Sequence, residues 1–462
     1  MVRQAYRFAL DPTAAQAELL GSCVGASRFW FNAGLALVKE RLEARARGED
    51  VVVPWSYHQL CSEFRGDAIK DELAPWRREV PVGSYQAGLE ACGKALQNFS
   101  RARKAGRRVG FPRFRVKGRC REAVIFQAPR IESARWVEFD RRLGPIRVKE
   151  RMSKLIRLLE RDQEARIVRA TVSRSGSNWY VSFAVERSPK RRRARCPDAA
   201  VGIDVGLARL ATLSTGATVA NARPLKEALR RLRRNQQQLD RQRRANNPGN
   251  YLSDGRAKPG AREWVKSKRM LRVEAKRRGL HERVANLRRE QAHQLTTYLT
   301  REFGVIGVEA LAVANLIRNR RLARHIADVG WGAVLQQLKY KTSWSDGSML
   351  VAADRFYPSS KICSDCGTAR AKLALSERVF TCQACGLVLD RDLNAALNLA
   401  HMARQHAQAE GNSKCIVART GRETQNARRG QIRPGTPAGL SPLKREGPTG
   451  STQARKGLAV AT

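Results

Sequence analysis

Four cysteines are spaced as metal ligands. Cys363-Ser-Asp-Cys366 and Cys382-Gln-Ala-Cys385 form two CxxC pairs with fifteen residues between them. This spacing suits a tetrahedral zinc held by four thiolates. Gly367 and Gly386 directly follow the second cysteine of each pair, where backbone amides must fold back toward the sulfurs. Four thiolates leave no place for water, so such a zinc is structural; a disulfide pair is the alternative in an oxidising compartment. Three acids suggest a second chemistry. Asp204 interrupts the apolar run VGIDVG, where a carboxylate is costly unless paired or metal-bound. Glu309 repeats the arrangement at the end of VIGVEAL, and Asp392 opens DLNAALNLA two residues after Asp390. Asp392 alone reads equally well as a helix N-cap. Together, three carboxylates can hold two Mg²⁺ ions ~3.5–4 Å apart, activating a water and stabilising the leaving oxygen in phosphodiester hydrolysis.

The surrounding elements must bring these residues together. RQAYRFAL alternates as a strand, and helical spacing runs from Pro12 to about residue 46. YHQLCSEF and SYQAGLEACGKALQNFSRARKAG continue it to about residue 106, after which the pattern is one of strands. WVEFD, IRVKE and RIVRATVSRSGSNWYVSFAVE alternate, the last folding at SGSN into a hairpin. PKRRRARCPD, at 189–198, reads as a basic linker. VGIDVGLARLATLSTGATVANA then gives three strands, followed by a basic helix with Leu225, Leu229, Leu232 and Leu239 on one face and a long helix at about 262–300. At ~1.5 Å per residue the long helix could lie along a duplex or equally pack on the core. FGVIGVEAL is a buried strand, followed by a helix at about 320–343 and the strand SMLVAADRF. On this order a strand-borne Asp, a strand-end Glu and a helix-borne Asp can converge on one edge of an RNase H-like sheet.

Of 462 residues, 88 are Lys or Arg and 42 Asp or Glu, a formal net charge of +46. A charge that large calls for a polyanion, and nucleic acid supplies one through phosphate contacts and counterion release. No segment approaches the ~18 uninterrupted apolar residues of a membrane span, and the N-terminus lacks a signal-peptide pattern. The expectation is a cytoplasmic protein without a membrane partner. In a reducing compartment the scattered cysteines, Cys23, Cys61, Cys92, Cys120, Cys196 and Cys415, are free thiols.

The chain resembles the TnpB family, the OrfB proteins of IS200/IS605-type insertion sequences and relatives of the compact type V CRISPR effectors. VGIDVGLARLATLSTG, VIGVEALAVANL, ADVGWGAVLQQLKYKTSW, DRFYPSSKICSDCG and CGLVLDRDLNAALNLA carry the likeness. YRFALDPTAAQ, GASRFWFNAGL and FPRFRVKG extend it more loosely, so that it covers about residues 3–404. The resemblance implies a multi-domain α/β and β protein. Its RNase H-like (RuvC-like) nuclease domain carries an inserted four-Cys zinc ribbon, and its N-terminal β-barrel wedge domain carries an inserted helical recognition domain. The implied boundaries are wedge 1–16 and 108–198, recognition helices 17–107, nuclease 199–362 with a helical insertion at about 222–300, ribbon 363–386, last catalytic helix 387–409, and a disordered basic tail 410–462. It makes Asp204, Glu309 and Asp392 the catalytic triad, binding two Mg²⁺ (or Mn²⁺), and Cys363, Cys366, Cys382 and Cys385 the ligands of one structural Zn²⁺. Asp392 is preferred to Asp390 because it directly precedes the family's xNAAxN run. Nuclease-dead relatives lose one or more of the acids; this sequence keeps all three. The implied activity is RNA-guided cleavage of double-stranded DNA beside a short flanking motif, with a transposon-derived guide RNA. A CRISPR guide, guided binding or repression without cutting, and a transposase-accessory role are the alternatives. The setting implied is the nucleoid of a bacterial or archaeal cytoplasm, as a monomer or a dimer on one guide RNA.

Overall fold

In the computed structural model the described residues are 1–176, 178–188, 193–260, 263–345, 347–374, 376–409 and 440–442. They divide into two compact units, Met1–Pro189 with Glu274–Gly279, and Lys190–Val273 with Leu280–Thr462.

In the first unit, strand β1 (Val2–Asp11) leads into helix α1 (Ala14–Ala46). The start of α1 is fixed by a capping box: the Thr13 hydroxyl accepts from the Gln16 amide, and the Gln16 side chain accepts from the Thr13 amide. Helices α2 (Tyr57–Glu63), α3 (Asp67–Leu73) and α4 (Gly83–Lys104) follow. Gly88 of α4 lies against α1, where a Cβ would come within 2.5 Å of the Ser27 carbonyl. Trp30, Phe31, Leu35, Leu60, Leu89 and Leu96 form the core of this helical part. The chain returns through β2 (Ala123–Phe126), β3 (Arg130–Ser133), β4 (Trp136–Glu138), β5 (Pro145–Val148), helix α5 (Ser153–Arg161), β6 (Arg166–Ser175) and β7 (Asn178–Arg187). The strands form one antiparallel sheet in the order β2-β6-β7-β1-β5-β4-β3. Among the described residues no ladder joins β2 to β3, so the hydrogen bonding leaves open the barrel expected here. The sheet nevertheless curls: Phe126 on the edge strand β2 stacks on Phe139, just beyond β4 near the other edge, with centroids 5.3 Å apart. Helix α5 falls where only strands were expected. Leu155 and Leu158, at helical spacing, bury its inner face.

The second unit opens with β8 (Cys196–Asp204), β9 (Arg209–Leu213) and β10 (Ala217–Ala220), then the helical hairpin α6 (Pro224–Asn246) and α7 (Lys268–Glu302). Strand β8 begins inside the expected linker, whose residues 189–192 lie outside the described residues. Helix α7 starts later than expected because Ser267 caps it, accepting from the Met270 amide. Next come β11 (Phe303–Glu309), α8 (Val313–Leu316), α9 (Ala323–Val329), α10 (Trp331–Ser343) and β12 (Met349–Ala353). The single helix expected at 320–343 is two, broken at Gly330, whose φ of 76° ends α9 in the left-handed region. A small hairpin, β13 (Val379–Thr381) and β14 (Val388–Asp390), precedes α11 (Arg391–Ala409).

The sheet order is β12-β11-β8-β9-β10-β15; the neighbours β12, β11 and β8 pair in parallel, and each pairing from β8 through β9 and β10 to β15 is antiparallel. The edge strand β15 (Leu440–Pro442) lies within the expected disordered tail; the remainder of that tail, 410–439 and 443–462, lies outside the described residues. Alternation along the strands divides the sheet's two faces. Val201, Ile203, Ile306 and Val308 pack with Leu295 and Leu299 of α7 and Val334 and Leu338 of α10. Ala200 and Val305 pack with Ala403 and Ala407 of α11 on the opposite face. At Gly202 a Cβ would lie 1.9 Å from the Ala396 carbonyl, and at Gly307 2.3 Å from that of Leu399, so only glycine lets α11 approach this closely. Asp328 joins three helices. Its carboxylate accepts from the Leu225 and Lys226 amides at the start of α6 and pairs with Arg288 of α7 at 2.7 Å.

Candidate functional site

The parity that puts Ala200 and Gly202 beneath α11 puts Asp204 on the same face, and Val305 and Gly307 do the same for Glu309. Ile203 pairs with Val308 in the parallel ladder, so Asp204 and Glu309 end adjacent strands side by side. Asp392 stands in the first turn of α11, the helix laid across both. The three sequence-predicted acids therefore share one electrostatic site. The Asp204 carboxyl is pushed well above the usual carboxylate range, first by burial and then by the charges of Glu309 and Asp392. Asp392 is raised by burial and by Asp390, against the pull of Arg378 at 3.9 Å.

The two aspartates of the doublet differ in their hydrogen bonds. Asp390 Oδ1 accepts from the Asp392 and Leu393 amides at 2.9 and 3.2 Å, and its Oδ2 pairs with Arg209 at 3.1 Å. Asp390 is thus the helix cap, which leaves the Asp392 carboxylate to the cluster. Beside it, Arg223, Lys226, His325 and Arg378 help line a cleft of about 330 Å³. Arg378, 3.9 Å from the Asp392 carboxylate, joins this cleft to the acids.

The sequence reading missed Ser359. It is 3% exposed, and its hydroxyl donates to Glu309 Oε1 at 2.7 Å. The segment containing it is strapped to α11 by two buried asparagines. Asn398 Nδ2 donates to the carbonyls of Ser359 and Ile362 at 2.7 and 2.6 Å. Asn394 donates to the Ile362 carbonyl at 2.7 Å and accepts from the Ser364 amide at 3.0 Å. The signal was present in the DRFYPSSKICSDCG and NAAxN motifs, but neither says which atoms meet.

The four predicted cysteines come together. Their sulfurs all lie within 4.8 Å of one another, with Cys363–Cys385 and Cys366–Cys382 at 3.6 Å. A tetrahedral zinc with bonds of ~2.3 Å would space its sulfurs by ~3.8 Å, so the cluster fits that ion. Gly367 and Gly386, at φ 76° and 72°, turn their amides back to the carbonyls of Cys363 and Cys382. This is the only such cluster among the described residues.

The OrfB/IS605 family profile, described as "Probable transposase", matches residues 182–320. A "Cas12f1-like, TNB domain" profile matches 331–399, across the four cysteines and Asp392. The associated helix-turn-helix profile matches 1–47, which here is a strand and one unbroken 33-residue helix. A Mycobacterium tuberculosis protein named "Putative RNA-guided DNA endonuclease" is 32% identical over 486 residues, 99% of this chain and 97% of its own. A Streptomyces pristinaespiralis protein of the same name is 32% identical over 86% of this chain and 89% of its own. The Escherichia coli counterpart is 29% identical over 87% of this chain and 92% of its own.

Proposed function

Because the chain belongs to the TnpB family of RNA-guided DNA endonucleases, we propose that it cleaves guide-selected DNA at the cluster of Asp204, Glu309 and Asp392. The observation that carries this reading is the convergence of three half-buried carboxylates, on two strand ends and a helix start, beside a cationic cleft. Like charges held together and partly desolvated favour a cation between them. Three carboxylates at one sheet edge are the donor set that two Mg²⁺ ions ~3.5–4 Å apart would require. Those ions would supply the activated water and neutralise the leaving oxygen. The chain's own part is to fix the carboxylates in place. Gly202 and Gly307 set the depth of α11, Asp390 sets where it starts, and Arg223, Lys226 and Arg378 draw in the phosphate backbone. Base pairing with the guide selects the sequence, while the protein reads the flanking motif and backbone shape.

The sheet order and strand directions support an RNase H-like (RuvC-like) nuclease domain, with the four cysteines holding Zn²⁺ in its inserted ribbon. The curled N-terminal sheet is assigned to the wedge, and the helices from α1 to α4 to recognition. Guide RNA and double-stranded target DNA are the partners, in a bacterial or archaeal cytoplasm. The decisive experiment is to sequence RNA copurified with the protein, then assay cleavage of a plasmid library carrying the matching target beside randomised flanks. Mg²⁺-dependent cutting lost in Asp204→Ala supports the reading. Bound guide and target without cutting favour a repressor, and strand joining favours a transposase.

A further inference from the structure

We infer that Ser359 is a positioning residue that sets the Glu309 carboxylate for metal and indexes strand β11 against helix α11. The inference rests on the reading of Glu309 as a metal-holding acid. Ser359 touches both elements at once: its hydroxyl donates to Glu309 Oε1 at 2.7 Å, while its carbonyl accepts from Asn398 of α11 at 2.7 Å. Asn398 and Ser359 are each 3% exposed, so neither contact competes with bulk water. The Ser359 amide donates to the Tyr357 carbonyl at 2.9 Å, which fixes the backbone from which the hydroxyl projects. A serine needing only to satisfy itself could have bonded a nearby carbonyl, as Ser343 does with that of Tyr340. Ser359 reaches instead across the fold to an acid fifty residues away in sequence.

A neutral donor on one oxygen fixes the plane of the carboxylate and leaves Oε2 and a lone pair of Oε1 for cations. Outer partners of this kind typically govern metal affinity or activity by ~10–100-fold. The same strap continues through Ile362 and Ser364 to Cys363, so the four-cysteine centre and Glu309 are held by one short segment.

The test uses full-length, zinc-loaded, nucleic-acid-free protein, titrated with Mn²⁺ by calorimetry, beside guide-loaded protein assayed for cleavage against Mg²⁺ concentration. Ser359→Ala is expected to raise the Mn²⁺ dissociation constant and the half-saturating Mg²⁺ by about tenfold. It should keep its zinc and its melting temperature, while Ser359→Thr, which retains the hydroxyl, stays near wild type. In a Glu309→Gln background the Ser359→Ala change should add nothing, because the two act as one unit. An unchanged Mn²⁺ affinity, or an equal effect in the Glu309→Gln background, overturns the inference. A Ser359→Ala protein that has lost zinc or melts well below wild type also overturns it, by assigning the serine to the fold alone. Mn²⁺ binding insensitive to both Asp204→Asn and Glu309→Gln would instead bring down the metal reading on which the inference stands.

Discussion

Asp390 and Asp392 are two residues apart and differ in what surrounds their oxygens. Both oxygens of Asp390 are engaged, by two helix amides and by Arg209, whereas Asp392 has Arg378 at 3.9 Å, and burial and Asp390 outweigh the pull of Arg378, Arg391 and Arg209 on it. Removing each should therefore do opposite things. Asp390→Ala is expected to cost about 1 kcal/mol of stability, the usual price of a lost N-cap, and to leave measurable cleavage. Asp392→Ala should keep full stability, since it relieves like-charge repulsion, yet slow cleavage at least about a thousandfold, on the order of 4 kcal/mol of barrier. Asp204→Ala and Glu309→Ala should behave like Asp392→Ala, with guide and target binding retained. Melting curves beside single-turnover cleavage rates check this. A fast-cutting Asp392→Ala with a dead Asp390→Ala would reverse the two roles.

Two joints between elements give further tests. The segment carrying the cysteines is bound to α11 through Asn394 and Asn398, and Cys385 lies seven residues before Asp392. Cys382→Ser or Cys385→Ser should release zinc and abolish cleavage although neither residue touches the carboxylates, because metal binding here is local folding energy. A displacement of about 1 Å at the reacting centre can cost on the order of a hundredfold. Zinc content by elemental analysis beside cleavage rate decides it; a zinc-free mutant cutting at the wild-type rate contradicts the coupling. The second joint lies between α7 and α10. Lys341 Nζ donates to the Thr296 and Thr297 hydroxyls, both at 2.7 Å, and to the His293 carbonyl, yet burial lowers its pKa from 10.5 to about 8. A lowered lysine pKa means the unfolded chain holds the proton more tightly than the fold. The penalty is absent above pH 10.5, grows as pH falls, and is complete below about 8. Lys341→Met should therefore flatten the rise in stability between pH 8 and 10.5, measured by denaturant melts of both proteins. Parallel slopes in the two would contradict this.

At the scale of the whole molecule, the excess of 46 positive charges governs how it meets nucleic acid. The segment 411–462 contributes ten lysines and arginines against two glutamates, and within the described residues it adds only the short edge strand Leu440–Pro442 to β10. Its deletion should leave cleavage near wild type and cost no more than about 1–2 kcal/mol, the scale of a few ladder hydrogen bonds. It should also weaken DNA binding at low salt and reduce the slope of log affinity against log salt. A collapse of the melting temperature after truncation would contradict this. The sequence by itself marked the candidate residues and most of the elements, because both are written locally. CxxC spacing dictates four converging thiols, and an acid inside an apolar strand demands a partner. Alternation and helical spacing located β1, α1, α4, β8 and β11 to within a few residues. Gly330 splitting one expected helix and Leu155 with Leu158 making α5 were also local signals, read too coarsely. What only the tertiary structure decided is which acid of the doublet caps α11, that Ser359 holds Glu309, and that Asp328 joins α6 to α7. Each depends on atoms brought together from distant parts of the chain, and residue type and spacing carry no record of which buried donor meets which acceptor.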